Sequence, residues 1–227
     1  MQHFDGFPKD LYPFLRALAK NNNREWFQAN KARYEAHVKD AALGFIAEFS
    51  SKLREVSPHF LAIPKVQGGS LMRIYRDTRF SKDKTPYKTN IGMHFNHTGG
   101  TKSIHAPGFY LHVEPGEVMA ACGIWQPDSA AIARIRDAIV DDPDGWQAVR
   151  DAAGGMAWWG QSLKRAPRGY DADHRHIEDL KRKDFIWSAA LGADDAVADD
   201  FGARVAAVYR DGAPLVAFLC KALGLPF

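Results

Sequence analysis

The chain has 227 residues, of which 46% are hydrophobic and 25% charged, a composition typical of a folded globular protein rather than a disordered or fibrous one. It is long enough to bury a substantial core, and we expect one domain over residues 1–227. Its two cysteines are too few for a disulfide framework, so we expect buried free thiols in a reducing compartment.

The sequence carries no pattern typical of targeting or of the membrane. Its N-terminus lacks the basic-then-apolar order of a signal peptide. The longest apolar tract near the C-terminus, Leu215 to Leu223, is interrupted by Lys221 and is too short to span a bilayer. These features predict a cytoplasmic protein with no membrane partner.

The first part of the chain predicts helices. Asp10 is expected to cap a short helix that includes Leu11 and Leu18. A long helix is expected from about Arg24–Val56, because its apolar residues recur at three-, four- and seven-residue steps. Gly44 is expected to bend this helix.

The middle of the chain alternates apolar and polar residues with period two, which predicts strands. They fall at about Ser70–Asp77, 91–95, 109–113 and 118–124. One face of the resulting antiparallel sheet is apolar, and the other, which we name the mixed face, carries polar and small residues.

Helices return after the strands. They are expected after Pro127-Asp128, around Trp146–Ala152, and at about 195–209 and 214–223, with one more strand at Phe185–Trp187. The fold class is therefore predicted as α+β, with a mostly antiparallel central sheet packed by N-terminal and C-terminal helices.

The net charge of +3 is concentrated in residues 73–88, which carry six basic and two acidic side chains and hence +4, leaving −1 for the remainder. Arginine forks and lysines suit phosphate or carboxylate groups, and tyrosine rings can stack on a ligand ring. We therefore expect a small anionic ligand to bind in a pocket on the mixed face. The expected ligand-binding residues are Arg73, Tyr75, Arg76, Arg79, Lys84, Tyr87 and Lys88. If a reaction occurs, Asp77 is the first candidate for a general base, because it shares a strand face with Arg73 and Tyr75.

Two other functions stay open. The basic segment Lys164–Lys183, if it lies beside residues 73–88, would form an electropositive groove for single-stranded nucleic acid, with Trp158, Trp159 and Tyr170 nearby. Alternatively, the arginines pair with carboxylates of the same chain, and the domain is structural or binds a partner.

Metal and nucleophilic chemistry receive less support from the sequence. His94, His112 and Glu114 alternate onto the mixed face, where hydrogen-bonded polar residues are a more common explanation than a metal site. Ser81 lacks the surroundings of a catalytic nucleophile, and Cys122 alternates into the apolar face. The sequence thus predicts no metal and no cofactor, and leaves open whether the protein is an enzyme.

The pattern R-I-Y-R-D-x-R-F-S-K-D-K-x-P-Y-K over residues 73–88 resembles a motif of an uncharacterised bacterial and fungal family, domain of unknown function 2461. Residues 22–27, 108–116, 123–127 and 163–170 are similar to further blocks of that family. The resemblance covers roughly residues 4–220. It implies one domain over most of the chain and no known activity.

Overall fold

A computed structural model describes residues 4–99 and 105–227. Its centre is a six-stranded antiparallel sheet in the order β1-β2-β3-β4-β6-β5. The strands are β1 (Phe60–Leu61), β2 (Ile91–His97), β3 (Gly108–Glu114), β4 (Glu117–Ile124), β5 (Ala157–Trp159) and β6 (Phe185–Leu191). The α+β class and the antiparallel sheet expected from the sequence are confirmed.

Helices from both ends of the chain cover the apolar face of the sheet. The helices are α1 (Leu11–Lys20), α2 (Arg24–Ala29), α3 (Lys31–Tyr34), α4 (Asp40–Val56), α5 (Ser129–Asp141), α6 (Pro143–Asp151), α7 (Ile177–Leu180) and α8 (Phe201–Leu223). Helix α8 packs on β4, and α4 packs on α8. Within the described part of the chain, no helix combines the length and the apolar composition needed to cross a membrane.

The long N-terminal helix differs from the expectation of one continuous element bent at Gly44. It is interrupted at Asn30, and a π-helical turn over Glu35–Lys39 joins α3 to α4. The side-chain Nδ2 of Asn30 donates to the carbonyl of Trp26 at 2.9 Å, which satisfies the end of α2 locally. Periodicity does not reveal this break, because the apolar stripe continues across it.

The C-terminal helices were also expected to be separate, and they form one helix, α8, with Pro214 inside it. A proline within a helix removes one hydrogen bond and normally marks a boundary. Here the apolar residues on both sides of Pro214 are buried in the same core, including Val205, Tyr209, Leu215 and Leu219. Continuous packing of this face outweighs the loss of one backbone hydrogen bond.

The stretch Ser70–Asp77 is not a full strand. Among the described residues, it pairs only through isolated bridges, at Leu71 with Met93 and at Tyr75 with Tyr87. Leu71 therefore continues the outer edge of β2 beyond the very short β1. From Ile74 onward the chain leaves the sheet.

Candidate functional site

Residues 73–88 form a protruding loop that we name the arginine hairpin. Its two arms are joined by the Tyr75–Tyr87 bridge and by the Arg76 N–H, which donates to the Pro86 carbonyl at 2.9 Å. The side chain of Phe80 in the loop between the arms is 95% exposed. The end of the hairpin therefore extends into solvent.

Two of the three arginines of the predicted site are paired inside the hairpin. Arg76 contacts Asp83 and Thr85. Arg79 forms two hydrogen bonds to the carboxylate of Asp77, at 3.0 and 2.7 Å. These contacts are what an internal ion-pair network requires, and they occupy groups expected to meet a ligand.

Asp77, the candidate general base, is held as an anion by this pairing. The hydrogen bonds from Arg79 lower the pKa of Asp77 to about 2. A general base works best when its pKa lies near the operating pH. The geometry therefore favours an ion-pair role for Asp77.

The remaining residues of the predicted site have different environments. Tyr87 is buried and stacks on Phe27 with ring centroids 4.1 Å apart. Lys84 Nζ donates to the carbonyl of Thr78 at 2.8 Å within the hairpin. Tyr75 lies against Tyr87 and is half exposed, so its ring remains accessible from solvent.

Three of the five cations of the predicted site, Arg73, Lys84 and Lys88, form no ion pair within the described part of the chain, and Lys84 instead donates to a backbone carbonyl. Arg73 is exposed and Lys88 is half-buried. Burial, and then the charge of Arg73, lower the pKa of Lys88, which shows that the two cations repel one another.

In the second basic segment, residues 164–183, two of the four arginines, Arg175 and Arg182, pair with aspartates of the same chain. The guanidinium of Arg182 lies 3.8 Å from the ring centroid of Trp158 and is 3.4 Å from the carboxylate of Asp179. Trp158 also packs edge-on against the buried Trp187. The face of Trp158 that was expected near a nucleic-acid groove is therefore covered by Arg182.

A cavity of about 360 Å³ lies on the mixed face of the sheet. Its apolar walls include Met72, Met119, Ala121, Trp125, Trp159 and Ile186. Polar groups enter from His94, Tyr110, His112 and Glu117. Among the described lining residues there is none of the expected ligand-binding residues and no lysine or arginine.

Strand register explains why the polar groups of the cavity are neighbours. His94 on β2 pairs with Tyr110 on β3, and His112 follows two residues later on the same face. The hydroxyl of Tyr110 lies 3.2 Å from His112 Nδ1. Burial raises the pKa of Tyr110 to about 12, so the phenol is neutral at pH 7.

His94 is a neutral hydrogen-bonding group of the cavity. Its Nδ1 lies 2.9 Å from Asn96 Oδ1, which fixes the ring and places the proton on Nδ1. Burial lowers the pKa of His94 to about 4. Nε2 is therefore a hydrogen-bond acceptor at pH 7.

Asp184 ties together the two segments that carry the tryptophans of the cavity. Its buried carboxylate accepts hydrogen bonds from the N–H of Gln126, at 2.8 Å, and from the N–H of Gln161, at 2.9 Å. Gln126 directly follows Trp125 and has a φ of 45°, a left-handed conformation that L-residues rarely adopt. Gln161 follows Trp159 after one glycine. Asp184 thus positions both aromatic walls from outside the cavity.

One group of side chains at the edge of the cavity could hold a metal ion. Donor atoms of His112, Glu114 and Glu117 all lie within 4.8 Å of one another. The sequence placed His112 and Glu114 on this face and did not predict a metal. Glu117 joins them because β3 and β4 are connected by a tight turn.

The cysteines offer no activated nucleophile. Cys122 and Cys220 are both free and buried. Burial raises the pKa of each thiol to about 12. Both are therefore protonated at neutral pH and serve as apolar packing groups.

The family described as "Conserved hypothetical protein (DUF2461)" matches residues 10–218 of the chain. The protein belongs to the DUF2461 family. No curated protein and no solved structure matches it.

Sequence reasoning about this DUF2461 protein found the mixed face and missed most of the cavity on it. Trp125, Trp159 and Asp184 come from three separate segments that meet only because β6 pairs between β4 and β5. Asp184 directly precedes the apolar strand β6 but follows the basic run Lys181-Arg182-Lys183, so the sequence around it gives no signal of a buried carboxylate.

Proposed function

We propose that this protein binds a small, largely apolar molecule, carrying at least one hydrogen-bond donor, in the mixed-face cavity. The supporting observation is a cavity of about 360 Å³ with mostly apolar walls, two tryptophans and a half-buried, neutral histidine. Apolar concave sites with a few placed polar groups are typical of small-molecule binding.

The charges of the lining favour a neutral ligand over an anion. Glu117 carries the one formal charge among the described lining residues at pH 7, and it is negative. His94 and Tyr110 are neutral there because of burial. His94 Nε2 can accept a hydrogen bond from an N–H or O–H of the ligand, while Met72, Met119 and Trp159 contact its apolar body.

A thermal-shift and isothermal titration screen with neutral aromatic compounds, beginning with indole and phenol, tests the proposal. We expect a saturable heat of binding and a raised melting temperature. Ala121 points into the cavity from β4, so Ala121→Leu fills the space and should abolish binding while the protein stays folded.

Ala148→Leu is the matched control. Ala148 is exposed on helix α6, and it does not belong to the described lining. The Ala148→Leu protein should bind indole as the unaltered protein does. Equal indole affinity in Ala121→Leu, or no saturable binding of any compound in the panel, would overturn the proposal.

A second candidate function is anion binding at Arg73 and Lys88. These two residues are the part of the expected anion site that still supports an anionic ligand. These two cations are close enough to repel each other, and neither forms an ion pair within the described residues. A bound phosphate or carboxylate group would neutralise both, with the half-exposed Tyr75 at hand to contact the rest of the ligand.

Thermal shift with inorganic phosphate and pyrophosphate tests this second candidate. Arg73→Ala and Lys88→Ala should each remove the shift, whereas Arg79→Ala, which alters a cation already paired with Asp77, should retain it. An equal shift in all three variants would contradict the site. If a single-stranded oligonucleotide binds instead, with affinity that falls steeply with salt, a nucleic-acid function is favoured.

A further inference from the structure

The turn between β3 and β4 brings two glutamates directly opposite each other. Glu114 and Glu117 are cross-strand partners in the antiparallel register, on either side of Pro115 and Gly116. Like charges at such a position destabilise a pair of strands. Neither glutamate forms an ion pair with lysine or arginine within residues 4–99 and 105–227.

His112 points a buried nitrogen toward these carboxylates. Its Nε2 lies 3.6 Å from Glu114 Oε2, too far for a hydrogen bond, and has no hydrogen-bond partner among the described residues. A buried polar atom without a partner is uncommon in native proteins and calls for an explanation. The unpartnered nitrogen and the opposed glutamates are two separate observations at one place.

The other nitrogen of the ring is already positioned. Nδ1 of His112 lies 3.2 Å from the hydroxyl of Tyr110 and 3.3 Å from the side-chain amide of Asn90. Histidine ligands of metals almost always donate their second ring N–H to such a neighbour, which fixes the ring. The tautomer with the proton on Nδ1 donates to Tyr110 and requires the Asn90 amide to turn its oxygen, not its nitrogen, toward the ring; it leaves the Nε2 lone pair facing the glutamates.

We propose that His112, Glu114 and Glu117 bind a divalent transition-metal ion of the Mn²⁺ to Zn²⁺ series at the edge of the cavity. Imidazole with two carboxylates is a donor set that suits these ions, whereas an all-oxygen set would suit Mg²⁺ or Ca²⁺. The ion would neutralise the opposed carboxylates and supply the missing partner of His112 Nε2.

The geometry requires only small side-chain movements. Donors on opposite sides of a metal with bonds of about 2.1 Å are at most about 4.2 Å apart. The three donors lie within 4.8 Å, and the glutamates are on the solvent side of the group, so their rotamers can close this gap. His112 and Glu117 also line the cavity, so a bound ion would lie at its edge.

Isothermal titration of the metal-free protein with Zn²⁺, and absorption spectroscopy with Co²⁺, test this site without any organic ligand. We expect one saturable site and a Co²⁺ visible band. His112→Gln and Glu117→Gln should each weaken Zn²⁺ binding by more than about 100-fold, beyond the roughly 10–100-fold that loss of an outer-shell contact costs. His37→Gln and Glu25→Gln, which alter residues of the same types away from the cavity, should bind as the unaltered protein does.

The metal-free variants provide a control for folding. Glu117→Gln removes one of two opposed negative charges, so its melting temperature without metal should equal or exceed that of the unaltered protein. Loss of Zn²⁺ binding in that variant then reports on the site.

Unchanged Zn²⁺ affinity in His112→Gln, or no saturable binding of Zn²⁺, Co²⁺ or Mn²⁺, would overturn the proposal and leave His112 and Glu114 as a polar pair. Because no organic compound is used, failure here is distinguishable from failure of the cavity proposal.

Discussion

The side-chain amide of Asn22 forms two hydrogen bonds with the backbone of Tyr87. Asn22 Nδ2 donates to the Tyr87 carbonyl at 2.9 Å, and the Tyr87 N–H donates to Asn22 Oδ1 at 3.0 Å. The side chain thus makes the two backbone hydrogen bonds that a neighbouring strand would otherwise make. It links the turn after α1 to the base of the arginine hairpin. It also holds the ring of Tyr87 in its stack on Phe27.

Asn22→Ala should destabilise the protein by about 1–3 kcal/mol, because it leaves both backbone groups of a buried residue without a partner. Urea denaturation measures the change. Gln28→Ala, which alters an exposed amide on α2, should cost less than about 0.5 kcal/mol. If the two variants are equally stable, the Asn22 bridge does not hold the hairpin.

Helix α8 lies so close to β4 at Gly212 that we expect a single added methyl group to destabilise the protein. A Cβ at Gly212 would lie 2.2 Å from Cys122 Sγ, so Gly212→Ala should destabilise the protein by about 1–3 kcal/mol through overpacking. Gly44→Ala in α4 is the control, since nothing lies within 4 Å of its Cβ position. It should stabilise the helix by roughly 0.5–1 kcal/mol.

Cys122→Ala should rescue Gly212→Ala, because it removes the sulfur that the new methyl group meets. Thermal denaturation of the four proteins of this double-mutant cycle measures the coupling between the two positions. Additive effects of the two substitutions would contradict the close contact.

His94 should make the protein sensitive to mild acid. Its pKa is about 4 in the folded protein and about 6.5 when unfolded, so between these values the unfolded state binds more protons. The contribution of neutral His94 is fully present above pH 6.5 and is lost as the pH falls toward 4, by an amount on the order of 3 kcal/mol. His94→Gln should lose this part of the pH dependence, as measured by urea denaturation at several pH values. An NMR titration midpoint for His94 near 6.5 would contradict the prediction.

Asp184 is expected to act on ligand binding without touching the ligand. Asp184→Asn replaces one acceptor oxygen with a donor, so one of the N–H groups of Gln126 and Gln161 loses its partner, at a cost of about 1–3 kcal/mol. Affinity for indole should fall with stability, because the segments carrying Trp125 and Trp159 loosen. Asp173→Asn, an exposed acid elsewhere, should change neither quantity. Unaltered indole affinity in a destabilised Asp184→Asn protein would rule out its positioning role.

The fold was predictable where one physical signal dominated. Period-two alternation identified β2, β3 and β4 to within about two residues, because one face of each strand is buried. The break at Asn30 and the continuity through Pro214 were not predictable in this way. Local hydrogen bonding decides the first and tertiary packing the second.

The site was predictable only in part, for a related reason. Counting charges located the arginine hairpin, but the count cannot tell that Arg76 and Arg79 pair with the aspartates beside them while Arg73 and Lys88 do not. The mixed face was found by alternation. The cavity on it depends on strand order and on Asp184, which act between segments far apart in the sequence.

NMR of the protein labelled with ¹³C at its methionine methyl groups, titrated with indole, tests the central claim most directly. Met72 and Met119 line the cavity, whereas Met93 and Met156 are buried in the core. We predict that the methyl signals of Met72 and Met119 shift along a saturable curve, while those of Met93 and Met156 stay in place. Saturable indole binding that leaves Met72 and Met119 unmoved would contradict a ligand site on the mixed face.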